Sequence, residues 1–163
     1  MELTSLAFSN GEMIPKRFTC EGENISPPLE IADIPEKAET LAILVTDPDI
    51  PDEVQDSMGI DVFDHWVVFN IPADAFGDSG RMDAGAGRGT PGVNSSSDQG
   101  YTGPCPPAEY EPTEHRYVFR VYALDNALDC SVGAKKEVVQ ESMSGHVLAE
   151  AKLVGRYEKQ HVA

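Results

Sequence analysis

The sequence predicts a mostly-β, α+β fold, and three observations carry that prediction. The runs "TLAILVT" (Thr40–Thr46), "HWVVFNI" (His65–Ile71) and "HRYVFRVYAL" (His115–Leu124) have strand length and no helical caps. Helical periodicity appears only near the C-terminus, after the strands. No internal repeat is visible. A chain of 163 residues suits one domain, taken as residues 1–163, and can bury a core without staples.

Leu3 to Phe8 reads as a first strand, with Asn10-Gly11 as a turn before the short stretch Met13 to Phe18. "CEGENISPPLEI" is a loop punctuated by Gly22, Pro27 and Pro28. Thr40–Thr46 is apolar throughout, as expected of a central strand buried on both faces, and "DPDIPD" stops it. His65–Ile71 is a second such run, closed by Pro72. Residues 77 to 100 are dense in Gly and Ser and read as a long functional loop, since neither flank could fold alone. From Ala134 to Tyr157, Val138, Val139, Met143, Val147, Leu148, Ala151 and Val154 recur at helical spacing. Ser131 or Gly133 would cap the start, and Ser144-Gly145 would split the segment into two helices.

Charge and cysteines narrow the setting. With 28 acidic against 12 basic side chains, the net charge of −16 repels nucleic acid and anionic membranes. The acids are scattered, as on a solvated surface; adaptation to high salt and generic solubility both fit. Cys20, Cys105 and Cys130 cannot all pair and lie in no CxxC spacing. Three free thiols and a reducing, cytoplasmic setting are expected. The first residues lack a basic stretch followed by an apolar run, so no signal peptide is expected, and no segment approaches the roughly 20 apolar residues of a membrane span.

Residues that can carry chemistry gather at strand ends. Asp47 and Asp49 leave the first buried run, His65 opens the second, and His115 with Tyr117 opens the third. His115 and Tyr117, two apart, share a face of their strand. Pro48, Pro51, Pro104, Pro106 and Pro107 would stiffen the loops around them. Taken singly, each has a plain structural reading, Asp-Pro-Asp as a turn and a lone His as a hydrogen-bonded strand residue. Trp66 reads as packing and His146 as a helix-face residue. Ser95, Ser96 and Ser97 lie in a loop without a GxSxG elbow, which argues against a serine hydrolase. Two His and two Asp could also make a divalent-metal site for a hydrolase or oxygenase, although no HExxH spacing is present.

"SPPLEI", "DPDIP", "FDHWVVFNIPA", "GYTGPCPP", "HRYVFRVYALD" and "SGHVLAEAKLVGRYEK" follow one another across nearly the whole chain. Together they closely resemble the phosphatidylethanolamine-binding protein family, in its bacterial and archaeal, Raf-kinase-inhibitor-like branch. The resemblance implies a large central antiparallel sheet flanked by a smaller sheet and helices. It also implies a small pocket for phosphate-like anions or phospholipid head groups, lined by Asp47, Asp49, His65, Pro106, His115 and Tyr117. No cofactor, metal or catalytic residue is implied, and a homodimer is expected. On this reading the two aspartates orient the imidazoles and hold both cationic, and Tyr117 adds a neutral donor. The chain departs from the family pattern at Ile31, where relatives often have Trp. It departs again in "AEYEPTE", whose Glu109, Glu111 and Glu114 would oppose an anion nearby.

Overall fold

A computed structural model describes residues 1–160 and confirms the sheet-based architecture. The strands and helices are β1 (Glu2–Thr4), β2 (Leu29–Ala32), β3 (Thr40–Asp47), α1 (Asp52–Met58), β4 (Phe63–Pro72), β5 (Arg81–Met82), β6 (Thr90–Pro91), β7 (Glu114–Leu124), α2 (Lys136–Met143) and β8 (Val147–Glu158). They form a five-stranded sheet in the order β6-β4-β3-β7-β8 and a three-stranded sheet in the order β1-β2-β5. Every pairing between these strands is antiparallel.

β3 is central, and all eight of its residues are buried. Its unbroken apolar run follows from the two cores it separates. Ile43 and Val45 pack with Val68, Phe119 and Val121 toward the small sheet, where Leu3, Ile31 and Met82 meet them. Ala42 and Leu44 face the other way and join Phe69, Leu124 and the α2 residues Val139 and Met143. Polar residues on either face of β3 would therefore enter one core or the other.

Two irregularities in the β3–β4 ladder matter. One falls between Leu41 and Ile43, opposite Asn70, which adopts φ 53°. Its amide donates to the Leu128 carbonyl and accepts from the Leu128 N–H, tying the following loop to the strand. The other pairs Val45 with Trp66 but Thr46 with Asp64, leaving His65 as an extra residue. A bulge of this kind re-aims the side chain it carries.

The C-terminal segment corrects the sequence reading. A single helix, α2, covers its first part; the expected second helix is the twelve-residue strand β8. Val147, Leu148, Ala151 and Val154 fit helical spacing, but Leu153, Gly155 and Tyr157 also alternate inward, and all three are buried. Pairing with β7 along its whole length satisfies that strand's outer backbone, and this outweighs local preference. Gly155 is needed there, because a Cβ would lie 2.5 Å from Ile14 Cγ1. The expected first strand is shorter than Leu3–Phe8, and α1 was not anticipated, having no buried residue to give it a periodic stripe.

The cysteine expectation is overturned. Cys20 and Cys105 are joined by a disulfide across 85 residues, and Cys130 alone is free. The Cys20 N–H donates to the Pro104 carbonyl, and Gly103 lies against the Phe18 carbonyl and Thr19, so the two segments run side by side. Spacing along the chain carries no trace of that proximity. The free-thiol argument for a reducing compartment therefore falls. No helix among the described residues is long and apolar enough to cross a membrane.

Candidate ligand-binding pocket

A cavity of about 240 Å³ opens where the ends of β3, β4 and β7 meet the proline-rich loop. Asp47 comes from the end of β3, His65 from the start of β4, and His115 and Tyr117 from the start of β7. Alternation turns His115 and Tyr117 to one face, the face on which Phe119 and Val121 enter the core. In an unbroken ladder His65 and Trp66 would point to opposite faces. The bulge lets Trp66 enter that core while His65 lies beside Tyr117, their ring centroids 5.1 Å apart at 80°. Pro106 and Pro107 form a wall, held by the disulfide at Cys105 and by the Gly103 N–H donating 2.8 Å to Asn24 Oδ1.

His115 is committed at both ring nitrogens. Nδ1 lies 2.6 Å from Asp47 Oδ2, and Nε2 lies 2.8 Å from the Pro112 carbonyl. Two acceptors facing two nitrogens fit an imidazolium donating twice. Burial works against that charge, but the hydrogen bond and attraction of Asp47 outweigh it, and the His115 pKa is raised. Asp47 Oδ1 also accepts the Asp49 N–H at 2.7 Å.

His65 behaves differently. Its Nδ1 lies 2.8 Å from the Thr102 carbonyl, which can only accept, so Nδ1 carries the proton. Nε2 is not part of that bond, and the Gly103 carbonyl also lies near the ring. Burial dominates here and lowers the pKa, over the opposing pull of the Thr102 carbonyl and Asp47; the nearby His115 charge adds to the lowering. The expectation that both imidazoles are held cationic therefore fails for His65. Tyr117 is 1% exposed, and its hydroxyl has no hydrogen-bond partner among the described residues. Burial keeps that phenol un-ionised.

Asp49 stands beside the cavity. Its carboxylate accepts from the Arg116 backbone N–H at 2.8 Å and from the exposed Arg116 guanidinium at 2.8 and 2.9 Å. The Arg116 hydrogen bond lowers its pKa against the opposing effect of burial. The pair turns outward and locks the "DPD" turn onto β7. Sequence reasoning did not assign to the site Thr102, Phe63, Ser96, Ile50 and Pro51 just before α1, or Val54 within it, all of which line the cavity. Ile50 and Pro51 lie in "DPDIP", Phe63 in "FDHWVVFNIPA", Thr102 in "GYTGPCPP" and Ser96 in the serine run, whereas Val54 lies in no motif.

Other singled-out residues lie elsewhere. Trp66 packs edge-on against Tyr101, and His146 pairs with exposed Asp125 at 2.8 Å. Ser95 Oγ accepts the Asp64 N–H at 2.8 Å. Glu114 is taken by Arg156 at 2.9 Å, so it brings no free carboxylate toward the pocket. A larger groove of about 740 Å³ lies near Asp64 and Lys136, but those two charges neutralise each other at 2.6 Å. The smaller cavity holds the unusual chemistry, because there the buried Tyr117 hydroxyl, without a partner among the described residues, lies against the His65 ring. Among the described residues, no group of three or more His, Cys, Asp or Glu side chains is placed to hold a metal ion.

The phosphatidylethanolamine-binding protein family profile matches residues 4–158. A UPF0098 protein of Methanothermobacter thermautotrophicus is 47% identical over 165 residues, covering 98% of this chain and 99% of the relative. A UPF0098 protein of Chlamydia trachomatis is 41% identical over 160 residues, with the same coverage. Among solved structures, a phosphatidylethanolamine-binding protein homolog from Chlamydia trachomatis superposes with a TM-score of 0.86 at 41% identity, covering 98% of this chain and 97% of that one. YbcL of E. coli, described as a member of the mammalian family, gives 0.81 at 27% identity, with 98% of both chains covered. By sequence over nearly its whole length, and by a fold shared with solved relatives, the chain belongs to the phosphatidylethanolamine-binding protein family.

Proposed function

We propose that residues 1–163 act as one binding domain whose pocket takes a phosphate-like group, free on a small molecule or carried by a phospholipid head group. The observation that carries this reading is the Tyr117 hydroxyl, buried and without a partner among the described residues, beside the His65 ring. A buried hydroxyl left unsatisfied is costly, by about 1–3 kcal/mol, and a ligand oxygen would supply its partner. His65 and Tyr117 would touch the ligand, and Pro106 would give it a rigid wall. His115 and Asp47 would set the floor's shape and charge, while Asp49 would hold the turn. A regulatory or inhibitory binding role belongs to the same reading.

Titration calorimetry with phenyl phosphate tests the reading. Binding should be measurable, and Tyr117→Phe should weaken it roughly tenfold, the scale of one hydrogen bond to a charged group. An unchanged affinity in a folded variant would place the ligand elsewhere. A homodimer belongs to the same proposal, with exposed Val138, Val147 and Leu148 supplying apolar surface. Light scattering at the monomer mass at high concentration would refute it.

A further inference from the structure

We infer that this pocket takes its oxyacid together with one proton, favouring a weak oxyacid such as a phosphomonoester in its hydrogen-bearing monoanionic form over a fully ionised group. The inference rests on the anion-pocket reading above and specifies the chemical class that the site accepts.

His115 has no N–H to offer, since Asp47 and the Pro112 carbonyl take both. Together Asp47 and His115 form a neutral pair at 2.6 Å. Arg116 is turned out to Asp49, and Lys136 is held by Asp64, so neither cation serves the cavity. What remains is the Tyr117 hydroxyl as a buried donor and the His65 Nε2 lone pair, with the Ser96 and Thr102 hydroxyls in the surrounding wall able to donate or accept. A dianionic phosphate or a sulfonate brings only acceptor oxygens, and one of them would face that lone pair. A phosphate monoanion brings a P–O–H that donates to His65 Nε2 and an oxygen that accepts from Tyr117.

The groups packed around His65 leave this balance intact. Asp47 on β3 and the carbonyls of Thr102 and Gly103 favour a charged ring, and His115 on β7 opposes it. The segment entering α1 gives the cavity Ile50 and Pro51, and α1 itself gives Val54; Phe63 and Ser96 likewise add no charge. Burial decides the sum against a cationic His65. If the proton shifts from the ligand to Nε2 within the complex, the stoichiometry is unchanged. One proton enters with each ligand.

The test uses the unaltered protein, with phenyl phosphate and benzenesulfonate as probes of similar shape. Calorimetry at about pH 7.5, in two buffers of different ionisation enthalpy, should report uptake of close to one proton per phenyl phosphate, because the free ester's second pKa is about 6. The apparent Kd should rise about tenfold per pH unit above that pKa, by proton linkage. Benzenesulfonate, which has no proton to bring, should bind at least about tenfold more weakly at the same pH. Phenyl phosphate binding without proton uptake, or benzenesulfonate binding equally well, overturns the proton inference and leaves the anion pocket standing. Failure of both probes from about pH 5 to 8 overturns the pocket reading and this inference with it. Nitrogen-15 NMR of the free protein at neutral pH gives an independent check. His65 should carry a proton on Nδ1 alone, and a doubly protonated ring would contradict the argument.

Discussion

His115 and Asp47, 68 residues apart in the chain, meet at 2.6 Å with both side chains almost wholly buried. The carboxylate that ends one central strand fixes the charge on the imidazole that opens its neighbour. Because the Pro112 carbonyl takes the other nitrogen, this pair shapes the pocket without itself offering a donor to it.

Asp47→Asn tests that relationship. The raised His115 pKa makes a stabilising contribution that is present below the unfolded value near 6.5 and lost as pH rises through the folded value. His65, with its lowered pKa, acts in the opposite sense and destabilises as pH falls below about 6.5. Without the Asp47 charge, His115 should no longer offset His65. The variant should lose about 2–3 kcal/mol near pH 6, the scale of a hydrogen bond between charged groups. Acidification from about pH 8 to 6 should also cost it more than it costs the parent. Denaturant titrations at both pH values check this; an identical pH slope in the two proteins would contradict it.

Tyr117→Phe should separate binding from stability. Removing a hydroxyl that has no protein partner should leave stability unchanged or raise it by up to about 1 kcal/mol, while phenyl phosphate affinity falls. Urea unfolding and calorimetry on one preparation measure both. A stability loss of about 2 kcal/mol would mean that the hydroxyl is satisfied within the protein.

Reducing the Cys20–Cys105 bond should destabilise the chain by about 4 kcal/mol, as expected for release of so long a loop. Alkylation of the unfolded protein should label Cys130 alone before reduction and all three cysteines after it. Three labels without reductant would show that the bond does not form under those conditions.

The net charge of −16 predicts a dependence on salt. Scattered acids repel one another at low ionic strength, and added salt screens them. The melting temperature should rise with sodium chloride and level off toward 1 M, where the Debye length is about 3 Å. A melting temperature that falls over that range would show that ion pairs such as Arg116–Asp49 outweigh the repulsion.

The sheet core was legible in the sequence, and so was the gathering of Asp47, His65, His115 and Tyr117 at strand ends. An apolar run such as Thr40–Thr46 is stable only between two cores, so its central place was legible in composition. The i, i+2 spacing of His115 and Tyr117 put them on one face, and their position at a strand end put them at its rim. Tertiary contacts decided the rest. Val147–Glu158 carries both a helical and a strand pattern, and the long register with β7 chose between them. His65 reaches its neighbours through a bulge that exists only once β3 is beside β4. Asp49 turned to Arg116, and Cys20 found Cys105, across separations that local patterns do not encode. The charge on His115 and its absence on His65 came last, because burial and a neighbouring carboxylate oppose each other and only the distances between folded groups settle which wins.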